Sequence, residues 1–95
     1  SRYIRDWQVC AVVTDCDADG SATLSLRNKF ASGDEIELVG PDSRPFTMTA
    51  PVMEDSEGFA LYEPRTPQTV FKMKLPRYVP PMSFVRHAVQ LGAKD

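Results

Sequence analysis

Turn chemistry interrupts this chain so often that no long element can form. Clusters rich in Gly, Pro, Asn, Asp and Ser lie at Asp17–Gly20, Asn28–Gly33, Gly40–Pro45, Glu54–Gly58, Glu63–Pro67 and Arg77–Pro81. They recur every ten to fifteen residues, the rhythm of an all-β sandwich or barrel. The pieces between them alternate with period two, as a half-buried strand must. Ala22, Leu24 and Leu26 face one way and Thr23, Ser25 and Arg27 the other. Ile36 and Leu38 alternate with Glu35 and Glu37, Phe46, Met48 and Ala50 with Thr47 and Thr49, and Phe71, Met73 and Leu75 with Lys72 and Lys74. Val9 to Val13 is apolar throughout and predicts a central strand covered on both faces. Phe59–Tyr62 and Phe84–Ala88 are shorter strand candidates. Helical spacing is absent, and eight prolines are scattered along the chain. Six or seven short strands favour an all-β fold that closes, or nearly closes, into a small barrel, because closure removes exposed sheet edges. An open sandwich is the alternative.

The 95 residues suit one domain. Residues 1–7 are expected to lead in from an upstream domain, 8–88 to form the barrel, and 89–95 to be a tail. A composition of 42% hydrophobic and 25% charged residues argues against disorder. No apolar run approaches a membrane span, and no signal peptide is visible, so no membrane partner is expected. Cys10 and Cys16 lie along or just past one extended segment, too far apart to bridge unless a sharp turn intervenes. Two free buried thiols suit a reducing cytoplasm.

The net charge is -2, but unevenly placed. Residues 1–63 hold twelve acids against five bases, and residues 64–95 hold six bases against one acid. In the basic third, Lys72 and Lys74 share a strand face, and Arg77, Tyr78, Arg86 and His87 follow. Cations interleaved with aromatics can track a phosphate backbone and stack bases. The blander account, a solvated face offsetting the acidic remainder, is preferred because the overall balance is acidic.

Other chemistries find little support. Asp15, Asp17, Asp19 and Gly20 open like a calcium loop, yet the twelfth position is Leu26 where a bidentate Glu is needed, so a hairpin turn is preferred. Cys10, Cys16 and His87 lack the four ligands of a closed zinc site. No serine sits in a nucleophile elbow, and an apolar setting makes Cys10 inert. No catalytic residue, metal or cofactor is expected.

The most specific stretch is Arg27-Asn28-Lys29-Phe30-Ala31-Ser32-Gly33-Asp34-Glu35-Ile36-Glu37-Leu38-Val39-Gly40-Pro41. Arg27 closes a strand, and Asn28 tolerates a left-handed turn. Phe30 should fold back to plug the barrel end. Gly33 permits positive φ, and Asp34 can accept from freed turn amides. The next strand ends at Gly40-Pro41. Only Arg27 and Lys29 lack an evident structural duty.

This stretch resembles the C-terminal domain of the collagenase-like U32 peptidase family, whose members carry Arg-Asn-Lys-Phe, two variable residues, Gly-Asp, a strand centred on Glu, then Gly-Pro. Phe46–Thr49, Pro67-Gln68 with Thr69–Leu75, and Val85-Arg86 are similar to later strands of the family. The resemblance covers roughly residues 8–88. It implies a barrel similar to the second domain of translation elongation factors, appended to an upstream catalytic domain that holds any cofactor cysteines. The parent would be an enzyme, a protease or an RNA-hydroxylation factor. The expected role is non-catalytic: positioning a protein or peptide substrate, or docking on the upstream domain. The alternative is RNA binding through Lys72, Lys74, Arg77, Tyr78 and Arg86, with Arg27 and Lys29 added.

Overall fold

A computed structural model describes residues 4–41 and 44–91. Parts of the expected lead-in, of the Gly40–Pro45 turn and of the tail lie outside them. The fold is all-β. Its eight strands are β1 (Ile4–Cys16), β2 (Ser21–Leu26), β3 (Glu35–Val39), β4 (Phe46–Thr49), β5 (Met53–Glu54), β6 (Ala60–Leu61), β7 (Val70–Lys74) and β8 (Phe84–Leu91). They form one sheet in the order β4-β3-β8-β1-β2-β7-β5-β6, and every neighbouring pair is antiparallel.

The expected barrel of six or seven strands is corrected on two counts. The described residues form eight strands, and the ladder ends at β4 and β6, which do not pair with each other. The sheet is an open, curled half-barrel. Its curl follows from its burial. Inward side chains from both ends, Phe46 and Met48 of β4 and Leu61 of β6, pack on one core with Leu24, Leu26, Ile36, Leu38, Phe71, Met73 and Val85. A flat sheet could not bring its two edges to a common core. The gap is bridged by the β2–β3 connection. There the amide of Ser32 donates to the carbonyl of Tyr62, just past β6, and that of Gly33 to the carbonyl of Ala50, just past β4, each at 2.8 Å.

β1 is the spine. Its first part pairs with β8 from Ile4↔Leu91 and its last part with β2 to Cys16↔Ala22. The ladder therefore takes in residues that turn spacing leaves to the lead-in and tail. Two bulges let one strand serve both partners: Cys10 is extra against β8, and Thr14 is extra against β2. A bulge adds local bend and twist, which curls the sheet. The expectation that Val9–Val13 is covered on both faces is also corrected. Cys10, Ala11 and Val13 are buried, but Val9 is 38% exposed and Val12 half-buried, so only the concave side is covered. Both cysteines are free and buried. No helix among the described residues is long and apolar enough to cross a membrane.

Candidate functional site

The Arg27–Pro41 stretch builds one pole of the half-barrel. As β2 ends, the amides of Arg27 and Asn28 both donate to the carbonyl of Cys10, at 2.7 and 3.1 Å. The Cys10 bulge gives these amides a shared acceptor beyond the strand pairing. Asn28 does not take the left-handed conformation expected of it; Gln68 and Met82 are the non-glycine residues at positive φ among those described. It holds the turn through its side chain instead, Nδ2 donating to the carbonyl of Val9 at 2.8 Å. The chain then crosses the open end. Phe30 drops into the core, its ring centroid 6.0 Å from that of Phe71. Gly33 takes φ +96°, and Asp34 Oδ2 accepts from the Ala31 amide at 2.9 Å. With Phe30 inside, Arg27, Asn28 and Lys29 are left exposed on the rim. Glycine and proline at 40 and 41 end β3 on the surface.

A second connection, residues 62–69, is tied to the same pole. Its start is the Tyr62 carbonyl that accepts from Ser32. At its end, the Gln68 amide donates to the Leu26 carbonyl at 2.7 Å, and the Leu26 amide to the Thr69 carbonyl at 2.8 Å. Pro64 is buried beneath it. Tyr62 is 60% exposed, and Arg65 reaches Glu63 at 3.0 Å on the surface. Gln68 sits at φ +70°. A non-glycine residue in that region is strained and persists only when its surroundings hold it there, as the Leu26 hydrogen bond does here. Sequence inspection takes this segment for a plain turn. Sequence reading therefore does not single out Tyr62, Arg65 and Gln68 as site candidates, since no local signal says which pole a turn joins.

Lys72 and Lys74 project from β7 on the convex face, as alternation predicts. Both have acidic neighbours. Lys72 is opposite Glu54, and Lys74 Nζ lies 3.8 Å from Asp19 Oδ2. They border an open groove of about 620 Å³ that also holds Asp17, Glu54, Val52 and Met53. It forms where β5 and β7, joined by the single bridge Glu54↔Lys72, diverge. The carboxyl of Asp19 is held below its ordinary range by hydrogen bonding from Ser21, with Lys74 a smaller contributor.

Arg77 and Tyr78 follow β7 at the opposite pole. The guanidinium of Arg77 covers the Phe46 ring at 4.2 Å and donates to the Arg44 carbonyl, and Tyr78 is 48% exposed. Arg86 is elsewhere again, three strand steps from β7, about 14 Å at ordinary spacing. It is directly opposite Glu37, and Nε and Nη2 both reach Glu37 Oε1 at 2.7 Å. Its guanidinium also stacks on Trp7 at 4.4 Å. The residues grouped by sequence are thus spread over two poles and two regions of the convex face. Sequence spacing leaves Trp7 in the lead-in; its place beside Arg86 depends on the β1–β8 pairing, which no local pattern reveals.

The remaining reactive groups are enclosed. Burial, with the Asp34 carboxylate second, pushes the Cys10 thiol up from its usual 9.0 to about 12. His87 Nε2 is buried without a hydrogen-bond partner among the described residues. Among those residues, no group of three or more His, Cys, Asp or Glu side chains is placed to hold a metal ion.

Comparison with known proteins agrees with this architecture. The model of the peptidase family U32 C-terminal domain matches residues 5–86. Two crystal structures of the C-terminal domain of a Geobacillus thermoleovorans protein assigned to the U32 peptidases superpose on the chain. One has a TM-score of 0.76 at 32% identity, covering 80% of this chain and 86% of that one. The other, its selenomethionine variant, has a TM-score of 0.79 at 32% identity, covering 84% and 99%. The tRNA hydroxylation protein P1 of Bacillus subtilis (strain 168) is 38% identical over 64 residues, which are 67% of this chain but 15% of that protein.

Proposed function

The chain belongs to the family of U32 peptidase C-terminal domains, and from that premise we propose that it is a non-catalytic module of a larger enzyme, holding transfer RNA for modification elsewhere in the parent. The observation that carries this reading is the 38% identity, over 64 residues, to a protein named for tRNA hydroxylation. The chemistry of the surface supports it. The described residues present cations and half-exposed aromatics on a rigid sheet, while the one strongly shifted thiol is sealed in the core. Such a surface can hold a polyanion without reacting with it. The test is a titration of fluorescently labelled transfer RNA with the chain at two salt concentrations. Binding that weakens steeply with salt is expected, since phosphate contacts release counterions. Absence of binding at low salt, or cleavage of gelatin by the chain, contradicts the proposal.

A second role, docking on the upstream catalytic domain, is supported by a different surface. Trp7 is 47% and Val9 38% exposed on the convex face, beside half-buried Val12 and Phe84. Trp7→Ala in the full-length parent should loosen the domain, seen as faster proteolytic release, without changing transfer RNA affinity.

A further inference from the structure

We infer that unpaired nucleotides of the RNA seat on the pole built by the β2–β3 and β6–β7 connections, on Arg27, Lys29, Tyr62 and Arg65, rather than on the lysines of β7. The inference rests on the RNA reading above and says where on the domain it operates.

Charge compensation separates the two surfaces. At the β7 groove, Lys72 faces Glu54, Lys74 has Asp19 at 3.8 Å, and Asp17 also lines the wall. A phosphate approaching there meets acids at least as numerous as bases. At the pole, Arg27 donates to the neutral Ser25 hydroxyl at 3.0 Å, and Lys29 is exposed with no acid within ion-pair distance among the described residues. Arg65 is paired with Glu63, but on the surface, its side chain 68% exposed. Surface pairs of this kind hold their partners weakly. The two connections thus carry three cations, Arg27, Lys29 and Arg65, against two acids, Glu63 and the half-buried Asp34, whose Oδ2 accepts from the Ala31 amide.

Stacking adds to charge at this pole. Tyr62 is 60% exposed at the bend just past β6, while Leu61 before it packs on the core. An exposed aromatic on the same pole as exposed cations is what single-stranded nucleic acid uses, since every base has a stackable face. The pole is also held rigidly. Hydrogen bonds from Ser32 to Tyr62, Gln68 to Leu26 and Leu26 to Thr69 clamp the two connections together, and buried Phe30 and Pro64 anchor them from beneath. A contact surface held in this way loses little conformational entropy on binding.

The experiment titrates labelled transfer RNA into the wild-type chain and three variants across a salt series, with thermal melts confirming that each is folded. The triple variant R27Q/K29Q/R65Q is expected to bind on the order of ten-fold more weakly at low salt, and the slope of log K against log salt to flatten by about 2. Tyr62→Ala should cost on the order of five-fold or more, with Tyr62→Phe restoring affinity because the stacking face remains. K72Q/K74Q should stay within about two-fold of wild type, because those lysines are already compensated. If K72Q/K74Q abolishes binding while the triple variant binds normally, the pole is the wrong site though the RNA reading survives. If wild type does not bind at low salt, both fall.

Discussion

Gly20 and Gly33 are both turn residues at positive φ, +97° and +96°, yet the two positions differ in what surrounds them. A Cβ on Gly20 would run into the backbone carbonyl of Leu75, while one on Gly33 would meet nothing within 4 Å. Gly33→Ala should therefore cost only the left-handed penalty, about 1–2 kcal/mol. Gly20→Ala should cost clearly more, because Gly20 also accepts from the Leu75 amide at 2.8 Å and the hairpin would have to leave β7. Urea melts of the two variants measure the difference; equal losses would contradict the packing described. Cys10 offers a test with pH. Its folded-state thiol is raised to about 12 from 9.0, so above pH 9 the unfolded chain gives up this proton while the folded one keeps it. The contribution is complete below the unfolded value and is lost as pH rises toward the folded one. Relative to Cys10→Ala, the wild type should lose stability as pH rises from about 9 toward about 12, measured by denaturant unfolding. A constant difference across that range would show that the thiol is not held neutral by the fold.

At the scale of elements, the cross-strand partners Glu37 and Arg86 join β3 to β8, with Trp7 of β1 stacked on the guanidinium. Three adjacent strands are thus tied on the convex face, where no core helps them. A double-mutant cycle with Glu37→Gln and Arg86→Gln should give a coupling of about 1 kcal/mol, falling with salt. Zero coupling at low salt would mean that the geometry does nothing for stability. This triad also marks how far the sequence was legible. Alternation identified the inward residues of β2, β3 and β7, and the motif foretold Phe30 in the core and Asp34 bonding its own turn, because these are local properties. Alternation failed in β1, where the bulges at Cys10 and Thr14 break the count of two. It also could not say that Arg86 meets Glu37 forty-nine residues away. Pairing of distant strands decides which cations are compensated, so the ranking of Lys72 and Lys74 above Arg27 and Lys29 could not be judged from spacing alone.

As a whole molecule, the domain solves its edge problem without closing. β4 and β6 remain sheet edges, and the β2–β3 connection spans the gap between them through Ser32 and Gly33. The residues that staple the half-barrel thus belong to the same loop that carries Arg27 and Lys29 on the rim and bonds the Tyr62 carbonyl through Ser32. Fold and proposed RNA contact depend on one loop, which accounts for the dense local constraints in the Arg27–Asp34 run. The most direct measurement is an amide-resolved NMR titration of the isotope-labelled chain with transfer RNA at low salt. Shifts concentrated in residues 27–32 and 62–69, vanishing as salt rises, are the predicted result. An unchanged spectrum, or shifts confined to residues 17–22 and 72–78 at the other pole, would contradict it.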